Sequence, residues 1–188
     1  RIRAALKQHY VTAGAAPYWN DGARRASFLQ RLRNAQLDGL NPSAYPIETL
    51  AEMGGDAMAE IYYSAFYVAY AADLRIGRVA PQKVDPHLFR SRKTIDVARV
   101  LAIMAKQPDP AKSLSSFEPR NAHYQALKRM MKIYVTVANE HEWPVIAQGA
   151  AVKPGSGDAR VPAIRSLLSF TGDYEGSGGG STYDKGLA

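Results

Sequence analysis

The chain has 188 residues, 46% hydrophobic and 22% charged, enough for one good core and a small appendage. Cysteine is absent, which excludes disulfides, thiolate metal sites and thiol nucleophiles within it. The net charge of +7 favours anionic partners in general, but the bases are scattered, and scattered bases are more often solvated helix surface than a binding site. They fall at Arg24, Arg25, Arg31 and Arg33, at Arg90, Arg92, Lys93 and Arg99, and at Lys128, Arg129 and Lys132.

In chain order, Ile2, Leu6 and Tyr10 lie four apart and predict a short first helix. After a break over 14–17 and a turn over 18–22, Phe28, Leu29, Leu32 and Ala35 mark the inner face of a helix that stops near Gly39. The turn of Gly39, Leu40, Asn41 and Pro42 leads into a short helix over 47–53. A long helix is predicted over 56–76, capped by Asp56, ended by Gly77, and with Met58, Ile61, Tyr62, Ala65, Ala69, Ala72 and Ile76 inward. A further helix over 95–106 turns Val97, Val100, Leu101 and Met104 inward. Pro108, Asp109 and Pro110 stop it and start a short one anchored by Leu114 and Phe117. A second long helix begins near Pro119, ends at about 139–141, and carries Tyr124, Leu127, Met131, Tyr134, Val135 and Ala138 at helical spacing.

From 143 to 157 the chain turns to proline, glycine and short apolar runs, the composition of an extended linker. Asp158 can cap a last helix with Val161, Ile164, Leu167 and Leu168 on one face, ending at Gly172. The Gly/Ser tract over 175–181 is expected to be flexible and to offer that helix no partner. Burial by the segment from Trp143 to Pro154, or by a second copy, is then the expectation for its stripe. The fold class is mainly α, divided as a helical bundle over 1–142, a linker over 143–157 and a helix-first appendage over 158–188. In the bundle, Leu32, Ile61, Leu101 and Leu127 are expected to be buried. No run of about 18 uncharged apolar residues exists, so no membrane span is predicted. The chain opens at Arg1 without a signal-peptide pattern, so a processed piece of a longer protein is expected.

No chemical motif is complete. His9, His87, His123 and His141 have no zinc spacing, because Trp143 and Pro144 break any pattern after His141 and Glu142. The glycines at 176–180 lack the lysine and strand of a phosphate loop, and no cofactor is expected. Glu118 with Glu140, or Asp85 with Asp96, could be named as a hydrolase pair, but spacing selects neither. Ser64 and Ser91 lack a nucleophile-elbow context. The densest feature is aromatic. Tyr62 and Phe66 read as core at four-residue spacing, while Tyr63, Tyr67 and Tyr70 form a second stripe. That stripe is a candidate groove for sugar rings, a seam against another domain, or the far side of a buried central helix, and the buried helix is favoured.

Several passages together resemble the amino-terminal scaffold region of large, multidomain L,D-transpeptidases of Gram-negative bacteria, the YcbB type. They are Pro17, Tyr18 and Trp19; the stretch 29–45 with Gly39, Leu40, Asn41 and Pro42; 74–81 with Val84, Asp85 and Pro86; Phe117, Glu118 and Pro119 with Tyr124 and Leu127; Trp143 and Pro144; and Lys153, Pro154 and Gly155 with 158–173. In that family a helical scaffold supports a peptidoglycan-binding insertion and a cysteine-bearing catalytic domain that forms 3-3 cross-links. The resemblance implies a periplasmic scaffold whose partners are peptidoglycan, reached through the parent protein, and the parent's other domains, with self-association also open. The residues from 160 to 172, with Tyr183, Asp184, Leu187 and Ala188, look like the opening of the peptidoglycan-binding module. No residue here corresponds to the catalytic cysteine, so no enzyme activity is expected of this chain. A basic nucleic-acid-binding domain and a carboxylate-dependent cell-wall hydrolase remain the lesser alternatives.

Overall fold

The computed structural model describes residues 2–12, 14, 16–88, 94–140, 145–176 and 179–188. The readings that involve Arg90, Ser91, Arg92, Lys93, His141, Trp143, Pro144, Ser177 and Gly178 lie outside the described residues. Nine α-helices are described, with short 3-10 turns between them and no strand among the described residues. The chain forms two compact units, Arg1–Val135 and Thr136–Ala188.

In the first unit the helices are α1 (Ile2–Lys7), α2 (Gly22–Arg33), α3 (Ile47–Glu52), α4 (Ala57–Ile76), α5 (Pro81–Val84), α6 (Val97–Lys106), α7 (Pro110–Leu114) and most of α8 (Ala122–Glu140). Aspartates start four of them. The side chains of Asp21, Asp56, Asp96 and Asp109 accept backbone N–H bonds in the first turns of α2, α4, α6 and α7, satisfying donors that the helix itself cannot. After α2 the chain tightens into a 3-10 turn over Ala35–Asp38, and Gly39, at φ 73°, closes it in a left-handed conformation that a side chain would disfavour.

Helix α4 is the axis of the unit and packs against α1, α3 and α6, while α2 packs on α3 and α7. Of the two stripes read on α4, the tyrosine stripe is interior, as the favoured buried-helix reading has it, and the stripe of Met58, Ile61 and Tyr62 is not. Ala59, Tyr63, Tyr67, Val68, Tyr70, Ala71 and Leu74 are buried, whereas Met58, Ile61 and Tyr62 are exposed, Ile61 by 48%. Phe66 and Ala65 only flank the core. The reason is chemical: a face of tyrosines can be interior when every hydroxyl finds a partner. Trp19 and Phe28 fill the space between α2 and this face, with Trp19 5.1 Å from the Tyr63 ring and Phe28 5.7 Å from the Tyr67 ring. Leu32 and Leu101 are buried as expected.

The second unit holds α9 (Val161–Thr171), which has a proline in its first turn and ends at Gly172 in a left-handed turn. The chain after the Gly/Ser tract returns to it, contrary to the expectation that the tract leaves the helix without a partner. Asp158 N–H donates to the Ser181 carbonyl at 2.8 Å and Tyr183 N–H donates to the Ser156 carbonyl at 2.9 Å, giving an isolated antiparallel bridge between Gly157 and Thr182. Arg165, buried on α9, donates to the Tyr174 hydroxyl, the Thr182 carbonyl and the Asp184 carboxylate at 2.6, 2.7 and 2.5 Å. Leu187 and Val161 are buried beside it. The C-terminal segment therefore bonds to α9 through Arg165, the 143–154 segment reaches Arg160 through the Ala150 carbonyl at 2.6 Å, and of the expected stripe Val161 is buried while Ile164, Leu167 and Leu168 are half-buried.

Candidate functional site

The aromatic stripe singled out by the sequence is interior. Tyr63, Tyr67 and Tyr70 are exposed by 1%, 0% and 0%, so they form neither a surface nor a groove that a sugar ring could reach. Each hydroxyl is spent inside the fold. Tyr63 donates to the Leu50 carbonyl at 2.7 Å, Tyr67 shares a hydrogen bond with the Ser113 hydroxyl, and Tyr70 donates to Asp38 at 2.6 Å. Burial raises the pKa of all three, and for Tyr70 the adjacent Asp38 carboxylate adds to the effect.

One turn away on the same helix, Glu60 and Ser64 form a polar node. The Glu60 carboxylate accepts from the backbone N–H groups of Tyr18 and Trp19 at 2.8 and 2.6 Å and from the Tyr10 hydroxyl at 2.6 Å. Ser64 lies 2.9 Å from the Trp19 indole nitrogen and 2.7 Å from the Tyr10 hydroxyl. Both side chains are buried, so Ser64 is a fastening for the N-terminal segment and not an accessible nucleophile. Neighbouring His9 has its pKa lowered by burial, partly opposed by the charge of Glu60.

A second node is ionic. Arg31 on α2 contacts Asp38 at 2.8 Å and Glu118 at 2.6 Å, and Lys128 on α8 contacts the same two carboxylates at 2.8 and 2.7 Å. Two cations face two carboxylates, so the node is neutral, and it joins α2, α4, α8 and the segment before α8. Burial disfavours the charges of Arg31 and Lys128, but the carboxylates outweigh it and both pKa values are raised. Glu118 is thus committed to ion pairs and is not free for acid-base chemistry. Asp85 and Asp96, the other named hydrolase candidates, bond to backbone N–H groups within their own turns.

What the first unit presents outward is of two kinds. Helix α8 was expected to bury Leu127, Met131 and Tyr134, yet all three are exposed, Leu127 by 58%, together with Met130 and Ile133. Among the described residues no helix of the unit covers this stripe, and Lys128 ties α8 to the ionic node. Elsewhere, Arg75, Arg99 and Arg120 line an open pocket of about 640 Å³. Periodicity alone could not find that pocket, since its arginines come from three separate segments. Among the described residues no cluster of three or more His, Asp or Glu side chains could hold a metal ion. His87 and His123 are exposed. No described helix is long and apolar enough to cross a membrane.

A buried aromatic axis and two polar nodes define a compact, mainly α-helical domain. A family model described as Scaffold domain matches residues 4–131, and the chain belongs to that family. No curated protein matches the chain, and no solved structure does.

Proposed function

We propose that the chain is the non-catalytic scaffold of a YcbB-type L,D-transpeptidase-like protein, acting in peptidoglycan cross-linking in the periplasm of a Gram-negative bacterium. The observation that carries this reading is the agreement between the Scaffold family match, 4–131, and the compact unit Arg1–Val135. A rigid unit with an uncovered apolar helix face is what a support for further domains requires. The apolar stripe of α8 supplies such a face. In this reading the second unit, with α9 and its returning C-terminal segment, is the opening of a peptidoglycan-binding module. The chain itself does not turn over substrate, because acyl transfer of this type needs an activated thiolate and the sequence contains no thiol.

Two measurements test the proposal. The reading frame downstream of Ala188 should encode a cysteine preceded by Ser-x-Gly, with a histidine upstream of it; a frame that ends without them would remove the reason for a scaffold. Incubation of the purified chain with tetrapeptide muropeptides should yield no 3-3 cross-linked product, and carbapenem should leave no mass adduct. Turnover or acylation, with contaminating enzyme excluded, would contradict the assignment.

A further inference from the structure

The geometry points to a binding pocket at Arg75, Arg99 and Arg120 for a peptide-like ligand carrying two or more carboxylates beside an apolar group. This goes beyond the scaffold reading and does not depend on it. Arg75 lies in the last turn of α4, Arg99 in the first turn of α6, and Arg120 just before α8, so three segments deliver guanidinium groups to one concavity. Its volume, about 640 Å³, is in the range of small-molecule sites.

Among the described residues that line this pocket, three arginines, all exposed, outnumber the carboxylates. Two carboxylates, Asp96 and Glu118, also line it. Glu118 is already paired with Arg31 and Lys128 at 2.6 and 2.7 Å, while the capping bond that Asp96 accepts from the Arg99 backbone N–H leaves its carboxylate as a counter-charge to one of the three arginines. Among the described residues no ion pair or side-chain hydrogen bond engages Arg75, Arg99 or Arg120. Like charges around one cavity repel, and an anion between them relieves that repulsion. Guanidinium is suited to carboxylate through paired, parallel N–H bonds.

Shape and wall chemistry select among anions. The floor is apolar, with Val100 and Phe117 buried and Ile95 and Ile103 half-buried, so a ligand with an aliphatic portion gains by covering it. A nucleic-acid backbone needs an extended basic track rather than one local concavity. Free phosphate has no apolar portion with which to cover that floor.

The test is a titration of the full chain, followed by amide NMR at low salt, with an acetylated tripeptide of glutamate, leucine and glutamate. Shifts should centre on Ile95, Val100 and Ser116, and the peptide with glutamine in place of both glutamates should bind at least about tenfold more weakly. The double substitution Arg99→Gln with Arg120→Gln should weaken the acidic peptide by about the same factor, whereas Arg129→Gln should not. The glutamine-peptide comparison needs no variant and stands even if the double substitution unfolds the chain. Equal affinity for the two peptides, shifts centred elsewhere, or inorganic phosphate binding as tightly as the acidic peptide would each overturn the assignment.

Discussion

The indole N–H of Trp19 donates to the Ser64 hydroxyl at 2.9 Å across 45 residues of sequence, and the adjacent Glu60 accepts the Trp19 backbone N–H at 2.6 Å. The N-terminal segment is therefore held by acceptors on α4 that must remain acceptors. Glu60→Gln puts an amide donor where two N–H groups and a hydroxyl already donate. Urea unfolding should show a loss of about 1 to 3 kcal/mol, the cost of stranding a buried donor. An unchanged midpoint would mean that the node is not formed in solution.

Burial separates residues that hydropathy ranks alike. Leu32→Ala and Leu101→Ala should each cost about 2 to 5 kcal/mol, because both leave a cavity in a closed core. Ile61→Ala and Leu127→Ala should each change stability by no more than about 0.5 kcal/mol, since both side chains are substantially exposed. Denaturant midpoints for the four variants decide this, and equal losses for all four would contradict the face of α4 and the openness of α8.

At the ionic node, removing one cation leaves two carboxylates facing a single positive charge. Arg31→Met should cost about 3 kcal/mol. The companion variant that also replaces Glu118 with Gln should recover part of that loss, since it removes the uncompensated carboxylate. A double variant no more stable than Arg31→Met alone would show that charge balance is not what the node provides.

Alkaline pH gives a signed expectation. Tyr10, Tyr45, Tyr67 and Tyr70 all have folded-state pKa values raised by burial, with carboxylate neighbours adding to it for Tyr10, Tyr45 and Tyr70. A raised folded pKa means stability that is complete below the unfolded value of 10.0 and lost as pH rises above it. Tyrosinate absorbance from these side chains should therefore appear together with loss of helical circular dichroism. Their full ionisation in a chain that keeps its helical signal would refute the burial of the stripe.

In the second unit, Arg165→Met removes the bond to Tyr174 and the two bonds, to Thr182 and Asp184, that tie the C-terminal segment to α9. Hydrogen exchange at Ile164, Leu167 and Leu168 should accelerate, and proteolysis at the Gly/Ser tract should become faster. Exchange rates indistinguishable from the parent chain would assign the cover of α9 to some other contact.

Several helix limits were legible in the sequence because they are set locally, although α2 ends at Arg33 rather than near Gly39 and Asp158, which accepts from the Arg160 N–H, does not cap α9. Asp56 at the start of α4 and Gly77 at its end need only their own turn to act. Faces were less legible. Around α4 almost every position is apolar or aromatic, so periodicity allowed two inner stripes, and the choice was made by partners far along the chain: Asp38 for Tyr70, Leu50 for Tyr63 and Ser113 for Tyr67. In α8 the stripe was read correctly as apolar, but an apolar stripe does not say what covers it. Arg165 gave no sequence signal, since two of its three acceptors, Thr182 and Asp184, lie beyond a glycine tract. The arginine pocket was hidden because Arg75 and Arg120 are distant in sequence and meet only once α4, α6 and the segment before α8 are packed.

The contacts of Tyr67 with Ser113, Ser27 with Asp109 and Arg31 with Glu118 span 46, 82 and 87 residues, and each joins an early helix to the chain near residues 109–118. During synthesis from the N-terminus, α2 and α4 emerge long before these partners exist. Tyr67, Ser27 and Arg31 lack these partners until that late segment is made. A ribosome-bound chain halted before Ser113 should therefore be sticky and protease-sensitive, while one extended past Lys128 should not; the order of translation becomes part of how the unit avoids misassembly.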